Sequence, residues 1–338
     1  MIRRRFLTGT AFAAAAVPAA RLVDWSALSA LAAELEAFVK GPPVKDQPVT
    51  RISPHVYVIQ SPDGFPTPEN QGMMANITFV VGAGGVIVVD SGASLQIGEM
   101  AIRQLRTVTD KPVVGIVNTH YHGDHWLGNH AFVDAYGMDL PRYALPHTRE
   151  AIQGVHGSFW LTSMIKWTAQ ASAGTKIVPP NRDVAHGDTL SLGDVTLRLH
   201  HYGRAHTPSD VAVEVVEDGV MCVGDILMDR RIANMDDGSY TGTFQTMDAL
   251  AANSATKIWL PAHGTPGPEV IVWQRALFEG IYEPCVAAVK AGQPVEEAKA
   301  AVLRDPRVAS RAAETKGWDS NIGKYISLAY LEAEQSDF

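Results

Sequence analysis

The stretch that most constrains this chain is Thr119-His120-Tyr121-His122-Gly123-Asp124-His125-Trp126-Leu127-Gly128-Asn129. Three histidines and one aspartate fall within six positions, directly after the apolar run Val113-Val114-Gly115-Ile116-Val117. Neutral imidazole is the commonest metal ligand, and a loop at the end of a buried strand is held by a rigid sheet. The stretch therefore reads as part of a metal site. One loop does not complete such a site, so further ligands are expected at other strand ends.

The second half supplies candidates. Val195 to His201 reads as a strand and runs into Gly203-Arg204-Ala205-His206-Thr207-Pro208-Ser209-Asp210, a polar loop with a histidine at its centre. Val211 to Val216 and Val220 to Val223 form a hairpin that stops at Gly224-Asp225, and Lys257 to Leu260 stops at Pro261-Ala262-His263-Gly264. Arg182 to Ala185 and Thr189 to Leu192 read as further strands joined by Gly/Asp turns. The first half has a similar plan. Strand-like alternation runs from Arg51 to Ile59, a hairpin joins Ile77–Val81 to Val86–Val89, and a helix is expected near Leu95 to Thr107. Asp90 ends that hairpin, where it either caps the helix or orients a metal ligand from behind. Each half thus repeats hairpin, helix and strand, which predicts two sheets with helices outside and the ligand loops at one edge.

Other segments set the surroundings. Arg3-Arg4-Arg5-Phe6-Leu7 followed by a small, apolar stretch from Ala11 to Ala20 is expected to be a twin-arginine-like signal over residues 1–20, which places the mature protein in the periplasm. A helix, Trp25 to Val39, and a Pro-rich linker fill 21–48. The long loop from Ser61 to Asn76 carries Phe65, Met73 and Met74, which cover a substrate or pack on the parent domain. Residues 147–174 read as helical, with Phe159, Trp160, Met164 and Trp167 largely on one face, as a core face or a substrate wall. Helices are expected over Pro268–Ala291, Val295–Leu303 and Ile322–Glu334, beyond a main domain at 49–268. This 269–338 extension is expected to pack on the domain, with an active-site cover or a homo-oligomer face as alternatives. The net charge of −8 disfavours nucleic acid as a partner. No apolar run after the signal is long enough to span a membrane. Cys222 and Cys285 read as buried thiols.

The order His120-x-His122-x-Asp124-His125, then His206, Asp225 and His263, with Asp90 upstream, resembles the metallo-β-lactamase fold superfamily over roughly residues 50–268. The resemblance implies a four-layer αββα sandwich and two Zn²⁺ per chain, with iron or manganese as alternatives. Carried over, His120, His122 and His206 hold one metal, Asp124, His125 and His263 the other, and Asp225 bridges them. Asp90, Thr207 and Asp210 stand behind the ligands. The implied chemistry is hydrolysis of a small-molecule ester, thioester, lactone or amide by a metal-bridging hydroxide, with Asp124 shuttling the proton. Phe65, Met73, Met74, Trp126, Phe159, Trp160, Tyr202 and Arg204 are the candidate pocket residues. Asp at 225, where true β-lactamases usually carry Cys or Ser, disfavours β-lactam cleavage. The export signal, the Asn234–Ser239 segment and the C-terminal helix resemble the exported metallohydrolases associated with sulfur-oxidation and quinoprotein relay systems. A persulfide dioxygenase with one iron is the alternative from another class.

Overall fold

Alternation of period two decides the architecture. In β3 (Ile77–Gly82) and β4 (Gly85–Val89), Ile77, Phe79, Val86 and Val88 point to one side, and Val80, Ile87 and Val89 to the other. Both sides are apolar, so both faces of this sheet must be covered. The computed structural model, which describes residues 39–62, 64–232 and 235–336, shows how. Seven strands pair in chain order: β1 (Val49–Arg51), β2 (Val56–Ile59), β3, β4, β5 (Val113–Val117), β6 (Arg142–Ala144) and β7 (Arg182–Asp183). Pairing is antiparallel as far as β4 and parallel from there on. A second sheet takes the order β12 (Ile258–Pro261), β11 (Val220–Gly224), β10 (Ala212–Val215), β9 (Thr196–His200) and β8 (Thr189–Ser191).

The inner faces meet in one apolar layer, in which Val80, Ile87, Val89 and Val117 pack with Leu197, Leu199, Val213 and Cys222. Outside the larger sheet, α1 (Leu95–Leu105), α3 (Asn129–Tyr136) and α5 (Val155–Trp167) contribute Ile97, Met100, Phe132 and Met164 to a second core. Outside the smaller sheet, Met221 and Val223 meet Met247 and Leu250 of α6 (Tyr240–Asn253) and Val270, the first residue of α7 (Val270–Lys290). This is the expected αββα sandwich. A further helical layer packs α7, α8 (Val295–Arg304), α9 (Pro306–Ala309) and α10 (Trp318–Ser336) around Phe278, Ile281, Tyr325 and Ile326.

Several boundaries differ from the sequence reading. The helical run expected over 147–174 is two helices, α4 (Pro146–Gln153) and α5, because Gly154 takes non-helical backbone angles between them. It ends at Trp167, and residues 168–174 are turns with Ala169 and Gln170 at positive φ. Helix α6 starts at Tyr240, where Ser239 caps it by accepting from Gly242 N–H. The stretch from Arg51 to Ile59 is broken at residues 52–55. The signal-like residues, nearly all of the Trp25–Val39 helix and Asn234 lie outside the described residues. Among the described residues, no helix is long and apolar enough to cross a membrane.

Candidate metal centre

Three of the four loops that matter leave β5, β11 and β12 at the same edge of the sandwich, and the fourth follows β9. β5 ends at Val117, and the chain turns through Thr119 to His122 into a one-turn helix, α2 (Gly123–Trp126). The turn is locked from below. Asn118 Nδ2 donates to His125 O at 3.1 Å, Asn129 Nδ2 donates to Asn118 Oδ1 at 2.8 Å, and Ser91 Oγ donates to Asn129 Oδ1 at 2.8 Å. Gly224, just before Asp225, has φ +52°, and a Cβ there would come within 2.8 Å of Thr119 Oγ1. Only glycine brings these two strand ends so close.

The side chains converge. His120, His122, His206 and Asp225 form one buried set of donors, and Asp124, His125 and His263 form another, each with its donor atoms within 4.8 Å of one another. Asp225 stands between the sets. Its Oδ2 lies 3.4 Å from His206 Nε2 and 3.9 Å from His120 Nε2, while its Oδ1 lies 3.4 Å from His263 Nε2 and 3.6 Å from His125 Nε2. Asp124 Oδ2 is 3.3 Å from both His125 Nε2 and His263 Nε2.

The donor chemistry fits divalent cations. His120 Nε2, His125 Nε2 and Asp225 Oδ1 are buried and have no hydrogen-bond partner, an arrangement that is costly unless something else satisfies them. Burial pushes His206 down to about 3 and holds His120 well below the ordinary histidine value, so both are neutral donors. Burial opposes ionisation of Asp124 and Asp225 too, but the neighbouring histidines outweigh it and hold both carboxyls well below their usual range. At His263 burial is outweighed by Asp225 above all, which raises it to about 9. The two buried carboxylates therefore demand positive charge beside them, and a bound cation supplies it while displacing those protons.

The outer nitrogens of the ligands are held as well. Asp90 Oδ2 pairs with His125 Nδ1 at 2.8 Å and accepts from Thr119 Oγ1 at 2.9 Å, and Asp90 Oδ1 accepts from Thr119 N–H at 2.8 Å. Thr119 Oγ1 in turn lies 3.1 Å from His120 Nδ1. His263 Nδ1 is 2.8 Å from Met74 O. Of the two roles expected for Asp90, it thus takes the orienting one, and Ser94 caps α1. Asp210 accepts from Thr207 N–H at 2.7 Å and Thr207 Oγ1 at 2.9 Å, which sets the loop behind His206, and burial pushes the Asp210 carboxyl up to about 7. The sequence reading did not single out Asp237. It accepts from Tyr121 O–H at 2.8 Å, and its Oδ2 is 3.9 Å from His122 Nε2. Only its place in an acidic, Gly-containing turn hinted at a role.

A cavity of about 260 Å³ opens onto His122, Asp124, His206, Asp225 and His263. Of the candidate pocket residues, Phe65, Met74, Phe159 and Trp160 line it. Four do not. Trp126 is fully buried and donates from Nε1 to Tyr121 O, and Met73 sits in the core under the larger sheet. Tyr202 packs on His186 and His200, and Arg204 is exposed and donates to Asp237 O. Trp126, Tyr202 and Arg204 neighbour a ligand in sequence or in its loop, and Met73 neighbours the lining residue Met74, but the backbone turns each side chain elsewhere. The cavity adds Trp167, Arg231, Asp236, Asn321 and Lys324, the last two from the C-terminal helix.

Comparison with known proteins agrees with this geometry. Residues 71–263 match the family model described as metallo-beta-lactamase superfamily. The chain is 26% identical over 228 residues to an atrochrysone carboxyl ACP thioesterase of Aspergillus chevalieri, covering 66% of this chain and 60% of that protein. It is 43% identical to a linear primary-alkylsulfatase of a Pseudomonas strain, but over 49 residues, which are 14% of this chain and 9% of that one. It thus covers less than two thirds of either relative. Among solved structures, the stereoselective inverting sec-alkylsulfatase Pisa1 from Pseudomonas sp. shares the fold with a TM-score of 0.66 at 15% identity, over 88% of this chain and 54% of that one. A metallo-beta-lactamase from Pontibacter korlensis aligns with a TM-score of 0.53 at 21% identity, over 68% of this chain and 98% of its own.

Proposed function

The chain belongs to the metallo-beta-lactamase superfamily, and we propose that it is a two-zinc hydrolase of ester, thioester, lactone or amide carbonyls. His120, His122 and His206 would hold one ion, Asp124, His125 and His263 the other, and Asp225 both. The observation that carries this reading is Asp225, whose two oxygens each face one donor set. A divalent cation there supplies Lewis acidity, polarising a carbonyl oxygen and making water acidic near neutral pH.

The chain's own residues do the rest. The bond from the carbonyl carbon to its heteroatom breaks, and a new carbon–oxygen bond forms from water. One water proton passes to the leaving heteroatom and one to solvent. Asp124, whose Oδ2 lies 3.3 Å from His125 Nε2 and His263 Nε2, would take the first of these protons and return it. Trp160 lies 4.9 Å from the His122 ring and shields that side from bulk water. The thioesterase match and a 25% identity over 140 residues to a hydroxyacylglutathione hydrolase of Erythrobacter litoralis, 41% of this chain and 44% of that one, support an acyl carbonyl as the target. The arginine-led N-terminus supports export to the periplasm, which cell fractionation of the full chain tests.

The deciding experiment is metal analysis of the purified protein together with turnover of ester, thioester and lactone probes. Two zinc per chain with hydrolysis is expected, and His120→Ala should lower kcat by at least about 100-fold, the scale of losing a polarising group. One iron per chain with oxygen uptake on a persulfide would replace this reading with an oxygenase. Full activity in His120→Ala would remove the site.

A further inference from the structure

The wall beside the donors is aromatic and unusually exposed. Phe65 is 52% exposed, Phe159 57% and Trp167 41%, and all three line the cavity that contains His122 and Asp225. Exposed apolar groups gathered at one mouth mark a binding surface. Phe159 and Trp167 join Trp160 in a path. Trp167 lies 6.0 Å from Trp160, Phe159 lies 5.7 Å from it, and Trp160 lies 4.9 Å from His122. Apolar surface therefore runs without a break from solvent to a ligand of the metal centre.

The ring angles say what kind of group fits. Phe159 and Trp167 meet Trp160 edge-on, at interplanar angles of 76° and 74°. Neither ring lies parallel to Trp160, so neither makes with it a slot that would grip a planar ring by stacking on both faces. They present edges and corners, to which a flexible chain conforms. Met74, beside them, adapts in the same way. The cavity of about 260 Å³ lies at the small end of ligand pockets, which suits a chain of moderate length better than a rigid polycycle. Part of the lining is polar. Lys324 Nζ pairs with Asp236 Oδ2 at 2.6 Å, and Asn321 lies beside them.

The loop that carries Phe65 is also braced. Asn70 Oδ1 accepts from Thr67 N–H at 2.9 Å and Gly72 N–H at 2.8 Å, while its Nδ2 donates to Phe65 O at 2.7 Å. The Arg231 guanidinium carbon lies 5.7 Å from the centre of the Phe65 ring, and Nη2 donates to Gly64 O at 3.3 Å. Phe65 is thus fixed at the mouth despite its exposure, so the aromatic surface is formed before any ligand arrives.

We propose that the substrate is an acyl compound with a straight aliphatic chain, which lies along Trp160, Phe159 and Trp167 while its polar leaving group faces Lys324 and Asn321. This rests on the hydrolase reading above and names the substrate class for the same site. The acyl chain lies against Trp160 next to the donors, so chain length governs how firmly the carbonyl is held.

The test uses the metal-loaded full chain with p-nitrophenyl esters from acetate to decanoate, alongside calorimetric binding of straight-chain carboxylates of four to twelve carbons. Each added methylene should raise kcat/KM by about fourfold, the worth of one buried CH₂, until the wall is covered. Carboxylate affinity should climb in step. Phe159→Ser and Trp167→Ser, both at exposed positions, should flatten both slopes. Val272→Ser, also at an exposed position but outside the cavity lining, should leave them unchanged. Esters cleaved with no length dependence would overturn the substrate class and leave the hydrolase standing. A steep length dependence of carboxylate binding without turnover of any ester would overturn the hydrolase reading and leave the chain-binding wall. Equal slopes in wild type and Phe159→Ser would remove the wall itself.

Discussion

At the scale of single residues, the site depends on groups that touch no substrate. Asp90 has φ +57°, a left-handed conformation that aspartate and asparagine tolerate better than most residues. This backbone places one carboxylate against Thr119 and His125 at once. Asp90→Asn keeps the size and tolerates the backbone while removing the charge. It should weaken metal retention by about 10- to 100-fold, the usual cost of losing a partner behind a ligand. Zinc release to a competing chelator measures this directly, independent of turnover. Unchanged retention would show that Asp90 serves the fold and not the metal. The same logic explains why Asp237 escaped the sequence reading. Its importance comes from Tyr121 and His122, more than a hundred positions away, and nothing in its own neighbourhood announces them.

At the scale of elements, the C-terminal helix α10 turns out to be part of the site. Residue-by-residue periodicity showed an amphipathic helix and left its docking face open. Contacts made far from that helix in sequence decide the face. Lys316 exchanges backbone hydrogen bonds with Arg230 and Ile232, which sets the helix start beside the cavity. Near its other end, Glu332 accepts from Ser239 Oγ, Tyr240 N–H, Thr241 N–H and Thr241 Oγ1 at 2.6 to 2.9 Å. A carboxylate at the N-terminus of α6 also meets the positive end of that helix. Glu332→Gln should cost about 1–2 kcal/mol, since hydrogen bonds to a charged group are worth roughly 1.5–3 and glutamine keeps part of them. Urea unfolding measures it, and a change below about 0.3 kcal/mol would show that the helix is held by its apolar face alone.

At the scale of the whole molecule, the two sheets are clamped at the end opposite the metal centre. Asp218, in the turn before β11, accepts from His55 N–H at 2.8 Å, pairs with His55 Nδ1 at 2.8 Å and accepts from Ser53 Oγ. Burial opposes its ionisation, but the bonds from Ser53 and His55 outweigh this and hold the carboxyl below its usual value. A depressed folded-state pKa gives stability that is present above the unfolded value of about 3.9 and lost as pH falls through the folded value. Stability should therefore drop as pH falls below about 4. Asp218→Asn should lose roughly 1–3 kcal/mol at neutral pH and show a shallower acid slope. Urea midpoints across pH 3 to 7 provide the check, and identical acid slopes in both proteins would refute the clamp.

The chain by itself determined a good deal. Histidine and aspartate appear at successive strand ends in an order that few folds need, and alternation in Ile77–Val89 requires apolar layers on both sides of the sheet. These are local properties, because a ligand must be of the right chemical type and a strand must alternate wherever it lies. The tertiary structure alone decided which apolar residues meet the cavity. Trp126 follows a ligand and Met73 precedes a lining residue, yet both point into the core, while Trp160 and Phe65 line the cavity and Lys324 and Asn321 arrive from the far end of the chain. Spacing along a chain tells which residues share a face. What lies opposite that face depends on how distant segments pack, and only the folded molecule contains that information.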